Sequence, residues 1–146
     1  MESATMGRVL TEATIENLGD LWNVEQGTLP PDKVRRITAP QALVDTGSTL
    51  LAMQKHLIQQ LGLTKKYRKR VSNTTGTHEV DVYGTVRLTI EGRDCPTDVA
   101  ELPDGLKETV LIGQIALEYL DFVVDPKGQR LIGNPRHDGE WMLDMY

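Results

Sequence analysis

The sequence is poor in residues on which several protein classes depend. It has one cysteine, Cys95, and aromatic residues make up 5% of its 146 residues. A single cysteine excludes an intrachain disulfide framework and suits a reducing compartment. The sequence has no run of about 20 apolar residues that could span a membrane, and no apolar run near Met1 that resembles a signal peptide. We therefore expect a cytoplasmic protein with no membrane partner.

Basic residues are also scarce, because 16 Lys and Arg stand against 21 Asp and Glu, with a net charge of −5. This balance argues against nucleic acid as a partner. One run, residues 65–70, holds five basic residues in six positions, and we interpret it as a solvated edge strand. His56, His78 and His137 lack the short spacing of a metal site, so we predict surface histidines and no metal or other cofactor.

Length and composition predict a single domain that covers residues 1–146. A typical domain has about 100–200 residues. Apolar residues make up 39% of the chain and charged residues 25%, as in an ordinary globular protein. Thirteen glycines and seven prolines indicate many turns and short elements rather than long helices.

The clearest periodic signal predicts a long strand over residues 80–90, where apolar residues alternate with polar ones and Gly84 takes one apolar position. The polar segment before it, residues 72–78, is typical of the tip of a hairpin. Weaker patterns predict further strands at residues 9–15, 34–39, 97–102, 122–124 and 130–132.

Two short apolar runs predict buried strands that end in glycine-containing turns. The first, residues 42–44, leads into Asp45-Thr46-Gly47-Ser48, and the second, residues 110–112, leads into Gly113. Short helices are expected after each run. The first would use Met53, Leu57, Ile58 and Leu61 as one face and end at Gly62, and the second would cover residues 115–120. Seven or more strands with two short helices predict a mainly β, barrel-like domain.

The acid at the end of the first buried run is the most informative feature, because a carboxylate is costly there unless it is hydrogen-bonded. In this setting the chain resembles the retropepsin-like, single-domain aspartic proteases over residues 34–132. The resemblance rests on three parts in order. They are the Asp-Thr-Gly triplet at 45–47, a glycine-bearing hairpin in the place of the flap (Thr74, Thr75, Gly76 and Thr77), and the element Leu111, Ile112 and Gly113 followed by a short helix.

This resemblance implies a mainly β, retropepsin-like acid-protease barrel with one or two short helices. An N-terminal hairpin region, residues 1–33, and a C-terminal tail, residues 133–146, lie outside the strongest likeness. Viral members commonly have an arginine after the glycine of the second element, and this chain has Gln114 there.

The resemblance also implies an aspartic endopeptidase that works on a polypeptide as a homodimer, since the chain carries one Asp-Thr-Gly. Asp45 would be the catalytic acid or base, and Thr46 would hydrogen-bond to the partner's loop. Gly47 would let the two loops approach, and Ser48 would donate to the outer carboxylate oxygen. The hairpin would close over the substrate, and no cofactor is implied.

Two alternatives stay open at this point. Asp45 could be a structural acid within a turn, in which case the chain would be a noncatalytic retropepsin-fold dimer that serves as a peptide-binding or assembly module. The apolar residues of the tail, which include Trp141, Met142 and Leu143, could pack on their own domain or on a partner.

Overall fold

A computed structural model describes residues 8–144. This part of the chain forms nine strands and three short helices. No helix among these described residues is long and apolar enough to cross a membrane. The elements are β1 (Val9–Asn17), α1 (Leu18–Glu25), β2 (Arg36–Val44), β3 (Leu51–Met53), α2 (Lys55–Gln60), β4 (Thr64–Asn73), β5 (Gly76–Ile90), β6 (Arg93–Glu101), β7 (Val110–Ile112), α3 (Gln114–Leu120), β8 (Phe122–Asp125) and β9 (Arg130–Gly133).

Six strands close into a barrel. Their order is β1-β2-β7-β3-β6-β5, and a second pairing of β1 with β5 joins the two ends. Strand β4 lies outside the ring, paired with β5, while β8 and β9 form a separate two-stranded sheet. The predicted mainly β, retropepsin-like barrel is confirmed, and because three helices are present, the structure has one more than the sequence indicated.

The alternation in β5 produces the expected buried face. Val82, Val86, Leu88 and Ile90 are fully buried. The main core cluster contains the last three together with residues of the other barrel strands, Ile58 of α2 and the inner face of α3. The period shifts at Gly84, where two residues of β5, Gly84 and Thr85, oppose the single residue Asp98 of β6. A Cβ at Gly84 would lie 2.4 Å from Asp98 Oδ1, so a larger residue at this bulge would displace the side chain of Asp98.

Glu16 joins the strands at the barrel's closure. It lies opposite Arg36 of β2 and Arg87 of β5. Arg36 donates to Glu16 Oε2 at 3.0 and 3.1 Å, and Arg87 donates to Oε1 at 2.8 and 3.1 Å. Burial acts to raise the pKa of the Glu16 carboxyl, but the hydrogen bonds from Arg87 and Arg36 outweigh it and lower the pKa. The closure is thus held by a charged carboxylate.

Two predicted elements differ from those observed. The runs at 34–39 and 42–44 form one strand, β2, because a bulge absorbs Pro40: Ala39 pairs with Ala13, but Ala42 pairs with Thr11. Met53 belongs to β3 rather than to the helix, and α2 starts at Lys55.

Helix α1 is the one helix among the described residues that the sequence did not indicate. Asn17 caps it by accepting from Asp20 N at 3.0 Å. Asp20 is its one buried side chain and accepts from the Arg35 backbone N–H and guanidinium at 2.9–3.0 Å. The fully buried contact of this helix is therefore polar, while Leu18, Leu21 and Val24 are half-buried.

The basic run at 65–70 lies in β4, at the edge of the sheet, as interpreted from sequence. Several of its charges are paired along the surface. Lys65 and Arg68 lie 3.4 and 3.1 Å from Asp81, and Lys66 lies 3.1 Å from Asp98. These pairs neutralise part of the run, which fits a solvated edge.

Candidate active site

Asp45 stands at the end of β2, in a turn fixed by three backbone donors. Its N–H donates to Ile112 O of the neighbouring parallel strand β7 at 2.9 Å. Ser48 N donates to Asp45 O at 3.0 Å, and Gly47 N donates to Asp45 Oδ1 at 3.1 Å. The Asp45 side chain is half-buried, while Thr46 and Gly47 are exposed. The carboxylate is therefore held in place and still open to solvent.

Gly113 brings the second predicted element against this turn. A Cβ on Gly113 would lie 2.5 Å from Leu50 O and 2.6 Å from Thr49 C, so any side chain at this position would clash with the backbone of Thr49 and Leu50. Just beyond it, Gln114 N donates to Ser48 O at 2.7 Å and Ile115 N donates to Thr49 O at 3.1 Å. The groups 45–48 and 111–113 thus form one unit.

The hairpin predicted as a flap is present, and it projects from the barrel as a two-stranded arm. Residues 68–73 of β4 pair with residues 76–81 of β5, and the pairing of β5 with β6 begins only at Val82. Thr74 and Thr75 lie at its tip, Gly76 takes a φ of +124°, and Thr77 follows in β5. His78 Nε2 lies 2.7 Å from Thr75 Oγ1. The arm is exposed and extends beyond the barrel.

A small apolar strip, which the sequence analysis did not single out, lies beside the turn. Ala52 of β3 pairs with Leu111 of β7 on one side and with Ala100 of β6 on the other. Its members form a cluster separate from the main core: Leu50, Ala52, Val80, Ala100, Leu102 and Leu111. The strip leads from the strand that binds the Asp45 N–H to the base of the arm at Val80. Alanines and single leucines give too weak a pattern to reveal it from sequence.

The cysteine offers no nucleophile. Cys95 is buried in β6, and burial, with a smaller contribution from Asp94, raises the pKa of its thiol to about 11. Within residues 8–144, no three His, Cys, Asp or Glu side chains gather as a metal site would require.

A second carboxylate, absent from the sequence analysis, fastens the tail. Asp121, left-handed at φ 62°, ends α3 and is buried. Its Oδ1 accepts from Asn134 Nδ2 at 3.1 Å, and its Oδ2 contacts His137 Nδ1 at 2.7 Å and accepts from Met142 N at 3.1 Å. His137 Nε2 lies 3.0 Å from Asp144 Oδ1. We call this group the tail latch.

The tail latch changes two expectations. The His137 side chain is 12% exposed, so the prediction of a surface histidine is wrong for this residue. Hydrogen bonds to Asp121 and Asp144 raise its pKa. Burial acts to raise the pKa of Asp121, but hydrogen bonds from Met142, His137 and Asn134 outweigh it and lower the pKa.

Arg93 completes the attachment of the tail. Its guanidinium donates to Leu120 O at 3.0 Å, to Asp121 O at 2.9 Å and to Gly139 O, and it lies 4.5 Å from the centre of the Phe122 ring. The backbone of the tail therefore docks on its own domain, which was one of the two open alternatives.

Four features together define a retropepsin-like domain: a six-stranded barrel, a turn that carries an acid, a glycine packed against the segment that follows this turn, and a hairpin arm. The family model described as gag-polyprotein putative aspartyl protease matches residues 38–119, and the chain belongs to this family. The match includes the Asp45 turn, the arm and most of α3. No curated protein matches the chain.

Proposed function

We propose that the protein is an aspartic endopeptidase that works as a homodimer, in which each chain contributes the Asp45 carboxylate to a water-activating pair. The observation that carries the proposal is the state of this carboxylate. It is half-exposed, fixed at the end of β2, and within residues 8–144 it accepts one hydrogen bond, from Gly47 N. Most of its accepting capacity is thus left for a water or a second carboxyl group. Membership of an aspartyl protease family supports this role.

A second chain is required by the chemistry. Hydrolysis of this kind needs two carboxyl groups that are close enough to share one proton. At that distance the two groups cannot both be ionised, because their negative charges would repel each other. The sequence contains one Asp-Thr-Gly, so the second group would come from Asp45 of another copy across a two-fold axis.

Gly47 supports the close approach of two such turns. Its φ is not in the left-handed region, and among the described residues a Cβ there would meet only Asp45 Oδ1, at an ordinary 3.4 Å. The described chain would therefore tolerate alanine at this position. A partner's turn packed against Gly47 supplies the reason for glycine that the single chain lacks.

The roles within the pair follow from its shared proton. The ionised carboxylate takes a proton from the attacking water, while the protonated one polarises the peptide carbonyl and later gives its proton to the leaving nitrogen. Thr46 is exposed and available to the partner's turn, and Ser48, half-buried, would donate to the outer carboxylate oxygen. These two roles are part of the proposal.

Substrate binding would use the arm and the apolar strip. An extended polypeptide can add backbone hydrogen bonds along the exposed arm, whose tip is Thr74, Thr75, Gly76 and Thr77. The strip beside Asp45 would receive an apolar side chain of that polypeptide. The proposal treats residues 1–146 as one domain. It also places the enzyme in the cytoplasm, because the single thiol of Cys95 suits reducing conditions.

The test is a peptide-library digest followed by mass spectrometry, with wild type beside Asp45→Asn and with Asp104→Asn as a matched change of an exposed acid. Wild type and Asp104→Asn should cleave, and specific activity should fall on dilution as dimers dissociate. Cleavage by Asp45→Asn, or cleavage blocked by a chelator or a thiol reagent, would contradict the mechanism. A well-formed wild-type dimer without cleavage would support the noncatalytic peptide-binding or assembly module.

A further inference from the structure

The two faces of the arm carry different side chains. Directly opposite residues of an antiparallel pair lie on the same face, and successive residues of a strand alternate between faces. The pairing of β4 with β5 therefore divides the arm and its base into two sets. One face carries Tyr67, Lys69, Val71, His78, Val80 and Val82. The other carries Arg68, Arg70, Glu79 and Asp81.

The first of these sets continues the apolar strip beside Asp45, and we call it the strip face of the arm. Val80 belongs to the strip itself. Val82, two residues further along β5, pairs with Ala100 of the strip and is fully buried. A polypeptide that lies on the strip would therefore meet the strip face of the arm and not the opposite face.

The opposite face is balanced in charge by its own acids. Arg68 lies 3.1 Å from Asp81 and 3.5 Å from Glu79, and Lys65, at the base of the arm, lies 3.4 Å from Asp81. Arg70 has Glu79 directly opposite it in the pairing. Each cation of this face therefore has an acidic neighbour, and little net charge is left there for a ligand.

The strip face carries a positive charge and no acidic residue. Lys69 is exposed and stands directly opposite Val80. Within residues 8–144 the ion pairs of the basic run are made by Lys65, Lys66 and Arg68, so the charge of Lys69 is not neutralised. An ammonium group can only donate hydrogen bonds. The strip face thus presents a free cation beside an apolar surface.

We propose that the strip face makes the enzyme selective for polypeptide segments that carry an acidic side chain close to an apolar one, with the apolar side chain on the strip and the carboxylate at Lys69. This step rests on the proposed function for the location of the substrate. In an extended polypeptide, side chains on one face repeat every second residue, about 7 Å apart. An acid about two residues from the apolar side chain therefore comes within reach of Lys69. Asp45 adjoins the other end of the strip, so the two negative charges stay apart.

The first test compares kcat/KM for peptides that share one leucine and differ in glutamate, glutamine or lysine two residues from it. Wild type should favour the glutamate peptide over the glutamine peptide by about threefold to fivefold, as expected of an exposed ion pair. Lys69→Gln should bring this ratio to about one, and Lys69→Glu should favour the lysine peptide. Arg70→Gln and Arg70→Glu make the same changes on the opposite face and should keep the ratio within about twofold. Cleavage without preference in wild type, or a ratio that Lys69→Glu leaves unchanged, would overturn the inference and leave the proposed function standing.

A second measurement does not depend on catalysis. Fluorescence anisotropy of the labelled glutamate and glutamine peptides gives their Kd values with Asp45→Asn, which cannot cleave them under the proposed mechanism. The glutamate peptide should bind about threefold to fivefold more tightly. The difference should vanish in Asp45→Asn with Lys69→Gln, and at about 1 M salt. Equal Kd values for the two peptides would overturn the inference. Tighter binding of the glutamate peptide by a wild type that cleaves no peptide would support the inference and contradict the proposed function.

Discussion

The Asp45 turn and the tail latch each place an aspartate just after a regular element, and the two carboxylates differ in how fully they are used. Asp121, after α3, is 5% exposed and contacts Asn134, His137 and Met142 N. Asp45, after β2, is half-buried and accepts from Gly47 N within the described chain. A carboxylate whose lone pairs are occupied by its own chain stabilises the fold, whereas one with open lone pairs remains available for chemistry.

The largest expected effect comes from Asp45→Asn. An amide keeps the shape and accepts from Gly47 N as before, but it cannot share a proton with a partner carboxyl group. We expect kcat/KM to fall by about 10³-fold or more, with little change in Tm. Steady-state kinetics and thermal unfolding of the same preparation test this. A large drop in Tm would show that Asp45 is structural, as Asp121 is.

Substitutions of the two glycines of the site, Gly113 and Gly47, should likewise differ in whether they affect the fold or the dimer. Gly113→Ala puts a Cβ 2.5 Å from Leu50 O, so we expect the free energy of unfolding to fall by about 1–3 kcal/mol. Among residues 8–144 the Cβ of Gly47→Ala would meet only Asp45 Oδ1, at 3.4 Å, so this change should leave unfolding of the monomer unchanged while it weakens the dimer and activity. Urea unfolding and sedimentation measure both. A Gly47→Ala dimer as tight as wild type would remove the argument for a partner turn at this position.

Asp121→Asn should have the opposite profile to Asp45→Asn. The amide NH₂ would face a donor in either orientation, Asn134 Nδ2 at the Oδ1 position or Met142 N at the Oδ2 position, so at least one contact of the tail latch is lost. We expect proteolysis after Arg136 to become several-fold faster, with chemistry at Asp45 intact at protein concentrations that keep the dimer assembled. Limited trypsin digestion measures the first effect, and cleavage assays at high enzyme concentration measure the second. Asp138→Asn, an exposed neighbour, is the control.

The smallest expected effect is the pH dependence of the tail latch. The pKa of His137 is raised above its ordinary 6.5, so its stabilisation is complete below that value and is lost as pH rises through the raised pKa. The pKa of Asp121 is lowered below its ordinary 3.8, so its stabilisation is present above that value and is lost as pH falls through the lowered pKa. Protection of the amides of residues 138–144, corrected for the intrinsic exchange rate at each pH, should be greatest between these limits, and His137→Gln should remove the upper one.

Local sequence patterns predicted the parts of the molecule that depend on near neighbours. Alternation in β5 reflects one buried face, and the Asp-Thr-Gly turn follows directly from the apolar end of β2. Gly113 also stands out locally, although the reason for it, the backbone of Thr49 and Leu50, lies more than 60 residues away in sequence. These features locate the candidate site before any contact across the sheet is known.

The rest depends on partners that are distant in sequence. Asp121 and His137 are 16 residues apart, and no local pattern around either residue indicates that the two side chains are in contact. Helix α1 was missed because its one fully buried side chain is the charged Asp20, and its apolar residues Leu18, Leu21 and Val24 span only two turns. Strand β2 was divided in two because Pro40 normally interrupts a strand, and only the pairing with β1 reveals the bulge that accommodates it.

The closure of the barrel at Glu16 has a consequence for how the chain folds during synthesis. Arg36 follows Glu16 after 20 residues, but Arg87 follows only after 71. Until β5 has emerged from the ribosome, β1 has one neighbour and an open edge that can pair with another nascent chain. We expect formation of this late, long-range pairing to limit the folding rate, so that a chain interrupted before β5 is the form most prone to aggregate.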